Sequence, residues 1–172
     1  PELTVRETIQ VALEARHETS LVSTALILPK ASRVEKAKAT EAVELIDFLN
    51  LGAYADMFIS ELSTGTRRVV ELAALLALNA RVLCLDEPTA GLAQRETEAF
   101  GPLVNQIQKE LKASMLIIEH DMPMIMDLSH RVYCLESGTV IAEGKPQDVR
   151  NNPKVIASYL GTDQRAISRS GK

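Results

Sequence analysis

The run Arg81-Val-Leu-Cys-Leu-Asp-Glu-Pro88 does most to limit what this chain can fold into. A short apolar stretch that stops at two carboxylates and a proline predicts a strand buried in a parallel sheet, since such strands are covered on both faces. Ligands of open α/β sheets gather at the carboxyl ends of the strands. Asp86 and Glu87 stand at such an end, and side chains alternate in direction along a strand. One carboxylate can therefore face a hydrated Mg²⁺ while its neighbour faces an attacking water, a division that suits nucleotide hydrolysis. Taken alone, the pair is equally compatible with an acidic surface turn.

The 172 residues suffice for one domain with a real core, or one domain and a small lobe. A net charge of −4, with 3% aromatic residues and no Trp, speaks against a nucleic-acid partner, which would call for basic patches or stacking platforms. Cys84 and Cys134 lie in separate apolar runs and give neither metal spacing nor a disulfide framework, so buried, reduced thiols are expected. The longest apolar stretch, Leu21 to Leu28, falls far short of the ~20 residues of a membrane span and is broken by Ser23 and Thr24. The start at Pro1, without methionine or a signal sequence, leads us to expect natural chain upstream of it.

Along the chain, Thr4-Val-Arg-Glu7 has capping-box spacing, followed by Val5, Ile9 and Leu13 at helical intervals. Ser32-Arg-Val-Glu35 repeats the signal before a face of Ala42, Leu45, Ile46 and Leu49, with Gly52 as the expected stop. His17 to Lys30 reads as a connection. A third helix, nearly all apolar, is predicted from Thr66 to Leu78, so residues 1–78 form a helical lobe without a strand. Residues 79–161 then alternate. The Arg81 strand is followed by a helix from Gln94 to Leu111 that Pro102 threatens to kink, and by a second buried strand over Met115 to His120. Pro123 opens another helix, and a hairpin turns on Glu136-Ser-Gly138. Two short closing helices follow, Pro146 to Arg150 and Pro153 to Leu160. Residues 162–172 are polar and small, and are expected to be a disordered tail.

Three polar sites punctuate this layout. Leu62-Ser-Thr-Gly-Thr66 opens the third helix, where free N–H groups and the helix dipole favour phosphate. Gly65 would admit an anion close to the backbone, and the Ser63 hydroxyl can cap the helix or donate to a phosphate oxygen. Asp86-Glu87 is the second site, and His120, followed by Asp121 at the end of the next strand, is the third. Each alone is ordinary: a capped helix, an acidic turn, a surface histidine. Their order and contexts together are not.

At these residues the chain resembles the ATP-binding cassette (ABC) ATPases. Leu62-Ser-Thr-Gly-Thr66 resembles their signature motif, and Leu83-Cys-Leu-Asp-Glu-Pro88 their Walker B strand. Thr89-Ala-Gly-Leu-Ala93 stands at the D-loop, with Gly91, Leu92 and Ala93 as its last residues, and Ile118-Glu-His-Asp121 at the switch histidine. Glu119-His-Asp-Met-Pro123, Val140-Ile-Ala-Glu-Gly144 and Ile156-Ala-Ser-Tyr-Leu-Gly161 are most similar to ATPase subunits of branched-chain amino acid importers. The resemblance implies that Asp86 holds Mg²⁺ through water, that Glu87 is the general base, and that His120 contacts the γ-phosphate. It implies that Ser63, Thr64, Gly65 and Thr66 reach an ATP held on a second ATPase subunit in a head-to-tail dimer. The helical lobe would bind a membrane permease, and the protein would be cytoplasmic, peripheral on the cytoplasmic face of the plasma membrane.

The chain departs from the pattern where Thr64 replaces a glycine, Thr66 a glutamine, and Ala93 an aspartate or asparagine. No Gly-x-x-x-x-Gly-Lys-[Ser/Thr] occurs, so the Walker A loop is lacking. The expected fold is thus α/β: an incomplete P-loop-type parallel sheet flanked by helices, with an N-terminal helical lobe, a C-terminal β-hairpin and an unpaired edge or exposed apolar face. The expected function is the ATP-hydrolysing subunit of a transporter, in a portion that is inactive alone. A non-catalytic module that binds a partner ATPase or permease is the alternative of a different class, and a non-transport ABC ATPase is a third reading.

Overall fold

A computed structural model describes residues 2–16 and 29–158. The chain divides into two compact units, Pro1–Ile118 and Glu119–Lys172, taken here in turn.

The first unit begins with α1, Val5–Glu14, whose first turn carries the expected capping box: Thr4 Oγ1 accepts from Glu7 N–H at 3.2 Å, and Glu7 accepts from Thr4 N–H at 2.8 Å. Two further N–H groups of this turn, on Val5 and Arg6, donate to the Met57 and Ala55 carbonyls. Helix α2, Pro29–Phe48, starts three residues before the Ser32 signal, and the connection expected over His17 to Lys30 lies mostly outside the described residues. Its end is set not by Gly52 but by Asn50, at φ 55°, since asparagine is among the few residues that tolerate the left-handed region; Gly52 instead opens a 3-10 turn to Tyr54. Helix α3, Thr64–Leu78, buries Val70, Leu72, Ala73, Leu76 and Ala77 and ends on left-handed Asn79.

These helices share one core, in which Val5, Ile9, Leu13, Ala42 and Ile46 are covered. Charged side chains fasten its rim. Arg16 pairs with Glu41 and donates to the Ala77 carbonyl at 3.1 Å, meeting an orphan acceptor at the end of α3. Lys38 is buried against Glu14 and Glu35. Burial opposes its charge, but hydrogen bonds to the two carboxylates prevail and raise its pKa above the ordinary lysine value.

After α3 comes β1, Val82–Asp86, then α4, Gln94–Leu111, then β2, Ser114–Ile118, paired parallel to β1 with Leu83 beside Met115 and Asp86 beside Ile118. Helix α4 runs through Pro102 without interruption. The strands were expected to be buried on both faces, and they are not. Leu83 and Leu85 are covered, whereas Val82, Leu116 and Ile118 on the opposite face are each more than half exposed. The sheet holds two strands, and no second layer among the described residues covers that face. Cys84 lies on the open face and is exposed for the same reason, against the expectation of a buried thiol; Cys134 is partly covered, and burial beside Glu136 raises its pKa.

The second unit contains α5, Met122–Leu128, the hairpin of β3, Val132–Glu136, with β4, Thr139–Gly144, and α6, Pro146–Arg150. Asp121 caps α5 by accepting from Met124 N–H at 3.0 Å, and Pro123 takes the first-turn place predicted for it. The hairpin turns on Ser137 at φ 48° and Gly138 at φ 78°, two consecutive left-handed residues, as a primed turn requires. Residues 153–158 are helical, while the rest of the helix predicted to Leu160 and the tail at 162–172 lie outside the described residues. Among the described residues no helix is long and apolar enough to cross a membrane.

Candidate active site

The start of α3 is built by its own first residues. Ser63, in extended backbone, caps the helix by accepting from Thr66 N–H at 3.1 Å, and its Oγ also bonds the Thr66 hydroxyl at 3.0 Å. The threonine that stands where the signature pattern has glutamine is thus absorbed into the cap. Arg67 folds back to donate from Nε to the Leu62 carbonyl at 2.9 Å. The remaining N–H groups of the first turn carry the helix's partial positive charge.

The segment that resembles a D-loop, Thr89 to Ala93, is brought against this helix end. The turn after β1 is closed by Ala90 N–H to the Glu87 carbonyl and Leu92 N–H to the Thr89 carbonyl, and Gly91 takes φ 79°. A Cβ on Gly91 would touch Thr64 Cγ2 at 3.9 Å. Gly65, Thr66, Leu92 and Tyr54 line one cavity of about 250 Å³ together with Glu96 of α4. The segments that resemble a signature and a D-loop thus share a surface within one unit.

Asp86 closes β1 on the open face of the sheet. Glu87 continues the ladder with its N–H, which donates to the Ile118 carbonyl at 2.8 Å, and then leaves the strand at φ 43°. A glutamate in the left-handed region is unusual, and such backbone strain clusters at functional positions. The turn re-aims the Glu87 side chain out of strand alternation. Among the described residues no group of three or more His, Cys, Asp or Glu could hold a metal ion by itself. Asp86 and Glu87 are both exposed at the end of the strand.

His120 belongs to the second unit. It follows β2 by two residues rather than lying on it, and its side chain is 77% exposed. Its backbone N–H donates to Glu119 Oε2 at 3.0 Å, while the Glu119 side chain is fully buried, so a covered carboxylate fixes the backbone beneath an accessible imidazole. The structure thus joins Ser63, Thr64, Gly65, Thr66, Gly91 and Leu92 within the first unit, with Asp86 and Glu87 at the strand end of that unit; His120 stands in the other.

Sequence reasoning missed Glu96. It accepts from Ala93 N–H at 2.9 Å and so caps α4, where Ala93 supplies no side-chain cap. The signal was half a capping box: a glutamate at the third helical position behind an N-cap residue that cannot reciprocate.

The family of ABC transporters matches residues 1–90, and that of branched-chain amino acid ATP-binding cassette transporters matches residues 139–164. The high-affinity branched-chain amino acid transport ATP-binding protein LivG of Escherichia coli is 35% identical over 93% of this chain and 63% of its own length. The corresponding protein BraF of Pseudomonas aeruginosa is 32% identical with the same coverage. Among solved structures, a nucleotide-free ATP-binding cassette from an ABC transporter superposes with a TM-score of 0.68 at 26% identity, covering 92% of this chain and 63% of the other. The chain thus spans less than two thirds of the length of these relatives.

Proposed function

The chain belongs to the ABC transporter family, and on that premise we propose that it is the signature-bearing portion of an ATP-hydrolysing subunit that powers solute uptake, of the branched-chain amino acid kind named for its relatives. The observation that carries this reading is the shared surface of signature and D-loop around the start of α3.

In this reading residues 63–66 receive the γ-phosphate of an ATP gripped by a second ATPase subunit, since a capped helix start offers N–H groups and positive potential but no enclosing loop. Asp86 holds Mg²⁺ through water, and that ion supplies charge neutralisation on the phosphates. Glu87, aimed by its left-handed turn, orients and deprotonates the attacking water, and exposed His120 meets the γ-phosphate. Positioning and electrostatics are what phosphoryl transfer asks of a protein. Residues 1–78 serve as the helical lobe that meets a permease at the cytoplasmic face of the membrane, and residues 79–161 belong to the ATPase core. Without a Walker A loop, these 172 residues alone grip ATP poorly.

The test is calorimetric titration of Mg-ATP into the 172-residue chain and into Glu87→Gln. No detectable heat is expected from either. Micromolar binding, with slow turnover abolished in Glu87→Gln, would show that another element replaces the Walker A loop and would overturn this assignment of roles.

A further inference from the structure

Gly65 has no room for a side chain, and what fills that room is a carboxylate. A Cβ at this position would lie 2.2 Å from Glu96 Oε1 and 2.6 Å from Glu96 Cδ. The other oxygen, Oε2, is held at 2.9 Å by the Ala93 N–H at the last residue of the D-loop. One carboxylate therefore caps the helix after the D-loop with one oxygen and lies against the signature glycine with the other. The helix start favours this carboxylate for the reason it favours phosphate, namely partial positive charge on unsatisfied N–H groups.

We propose that Glu96 gates the signature: its carboxylate occupies the approach to Gly65, and an anion seats at the start of α3 only when Glu96 withdraws. This deepens the reading of residues 63–66 as an anion seat and rests on it. Steric occupancy and like-charge repulsion act together, because an incoming phosphate oxygen would meet an ionised oxygen at contact distance. Glu96 withdraws by releasing the Ala93 N–H, so seating an anion loosens the end of the D-loop, and a D-loop that is held elsewhere frees the signature. The two effects are reciprocal, as linkage requires. Ala93 sharpens the device, because a D-loop ending in aspartate or asparagine could cap α4 with its own side chain, whereas this chain relies on Glu96. Glu96 is a positioning residue, acting through Gly65 and Ala93.

The experiment follows backbone amide signals of Gly65, Thr66 and Ala93 in the full chain while inorganic phosphate is added at constant ionic strength. Glu96→Gln keeps a capping side chain and removes the charge. Glu98→Gln, on the exposed side of the same helix, changes net charge equally and serves as control. The expected result is phosphate affinity at Gly65 and Thr66 about 3–10-fold tighter in Glu96→Gln, given that opposing charges near a surface are partly screened, with Glu98→Gln unchanged. Independently of any variant, saturating phosphate should accelerate amide exchange at Ala93 in the parent chain. Equal phosphate affinity in all three chains, with Ala93 exchange unmoved, would overturn the gate and leave the anion seat standing. No phosphate-dependent change at Gly65 or Thr66 in any chain would overturn the anion seat and the gate with it.

Discussion

In the helical lobe, Val5, Ile9 and Leu13 of α1 are wholly covered, and the rim is tied by Arg16, Lys38 and their carboxylate partners. In the β1–β2 pair, Val82, Leu116 and Ile118 keep more than half of their surface in contact with solvent. Both regions are strongly apolar in sequence, so the difference is one of geometry. An amphipathic helix has one apolar stripe, and a single partner can satisfy it. A parallel strand has two apolar faces and needs a layer on each. Among the described residues one layer is met and the other is not, and apolar surface of this kind is prone to association.

The sharpest way to break this contrast is truncation on each side of it. Leu13→Ala should destabilise by about 3 kcal/mol, as expected for a fully buried leucine. Leu116→Ala should stay within about 0.5 kcal/mol of the parent. Urea unfolding at matched slopes measures both, and a large loss at Leu116 would show that the open face is covered in solution.

The fastening of the lobe comes next. Lys38→Ala leaves two half-exposed carboxylates facing each other's charge, and should destabilise by about 1–2 kcal/mol. The pH dependence has a definite sign. Because the folded pKa of Lys38 is raised, its contribution is full below the unfolded lysine value and disappears as pH rises through the folded value, so the difference between parent and Lys38→Ala should shrink only in strong alkali. A thermal-unfolding series across pH checks this.

A smaller effect belongs to the first turn. Thr4→Ala should lower stability by about 1 kcal/mol through loss of the cap. The Glu7 pKa is lowered by its hydrogen bonds from Thr4, first the backbone N–H and then the side chain. Its contribution is therefore present above the unfolded glutamate value and is lost as pH falls through the folded one. The protection of the Thr4 amide, measured against its intrinsic exchange rate at each pH, should fall on acidification in the parent and be absent throughout in Glu7→Ala.

The smallest perturbation uses the thiols, which report cover without altering it. Cys84 on the open face should react with a thiol reagent at mildly alkaline pH well before Cys134, whose pKa is raised by burial and by Glu136. Equal rates would mean that the two sheets are equally covered.

The elements whose signals are local were legible in the sequence. The capping box at Thr4 and Glu7, the apolar α3, the extent of α4 and the turn at Ser137-Gly138 all follow from residues within a few positions of one another, whereas the kink expected at Pro102 is not there. What escaped depends on distant chain. The exposure of Val82 and Cys84 is decided by what packs on the strand's outer face, where no layer lies among the described residues, and not by the strand's own composition. The left-handed stop at Asn50 was passed over for Gly52, because glycine is the commoner sign. Of the candidate site, the order of motifs was readable, and so was the pairing of Asp86 with Glu87. The seating of Glu96 against Gly65 was not, because it joins residues 31 positions apart through the packing of α4 on α3.

The role proposed for the start of α3 is to receive an ATP held by another subunit. The direct measurement is sedimentation of this chain mixed with a branched-chain amino acid transport ATP-binding protein that carries its own Walker A loop and cannot hydrolyse ATP. The expected result is a complex that forms with Mg-ATP, is absent without it, and is weakened about tenfold or more, at least ~1.4 kcal/mol, by Ser63→Ala with Gly65→Asp. Association that ignores ATP, or survives both substitutions unchanged, would contradict it.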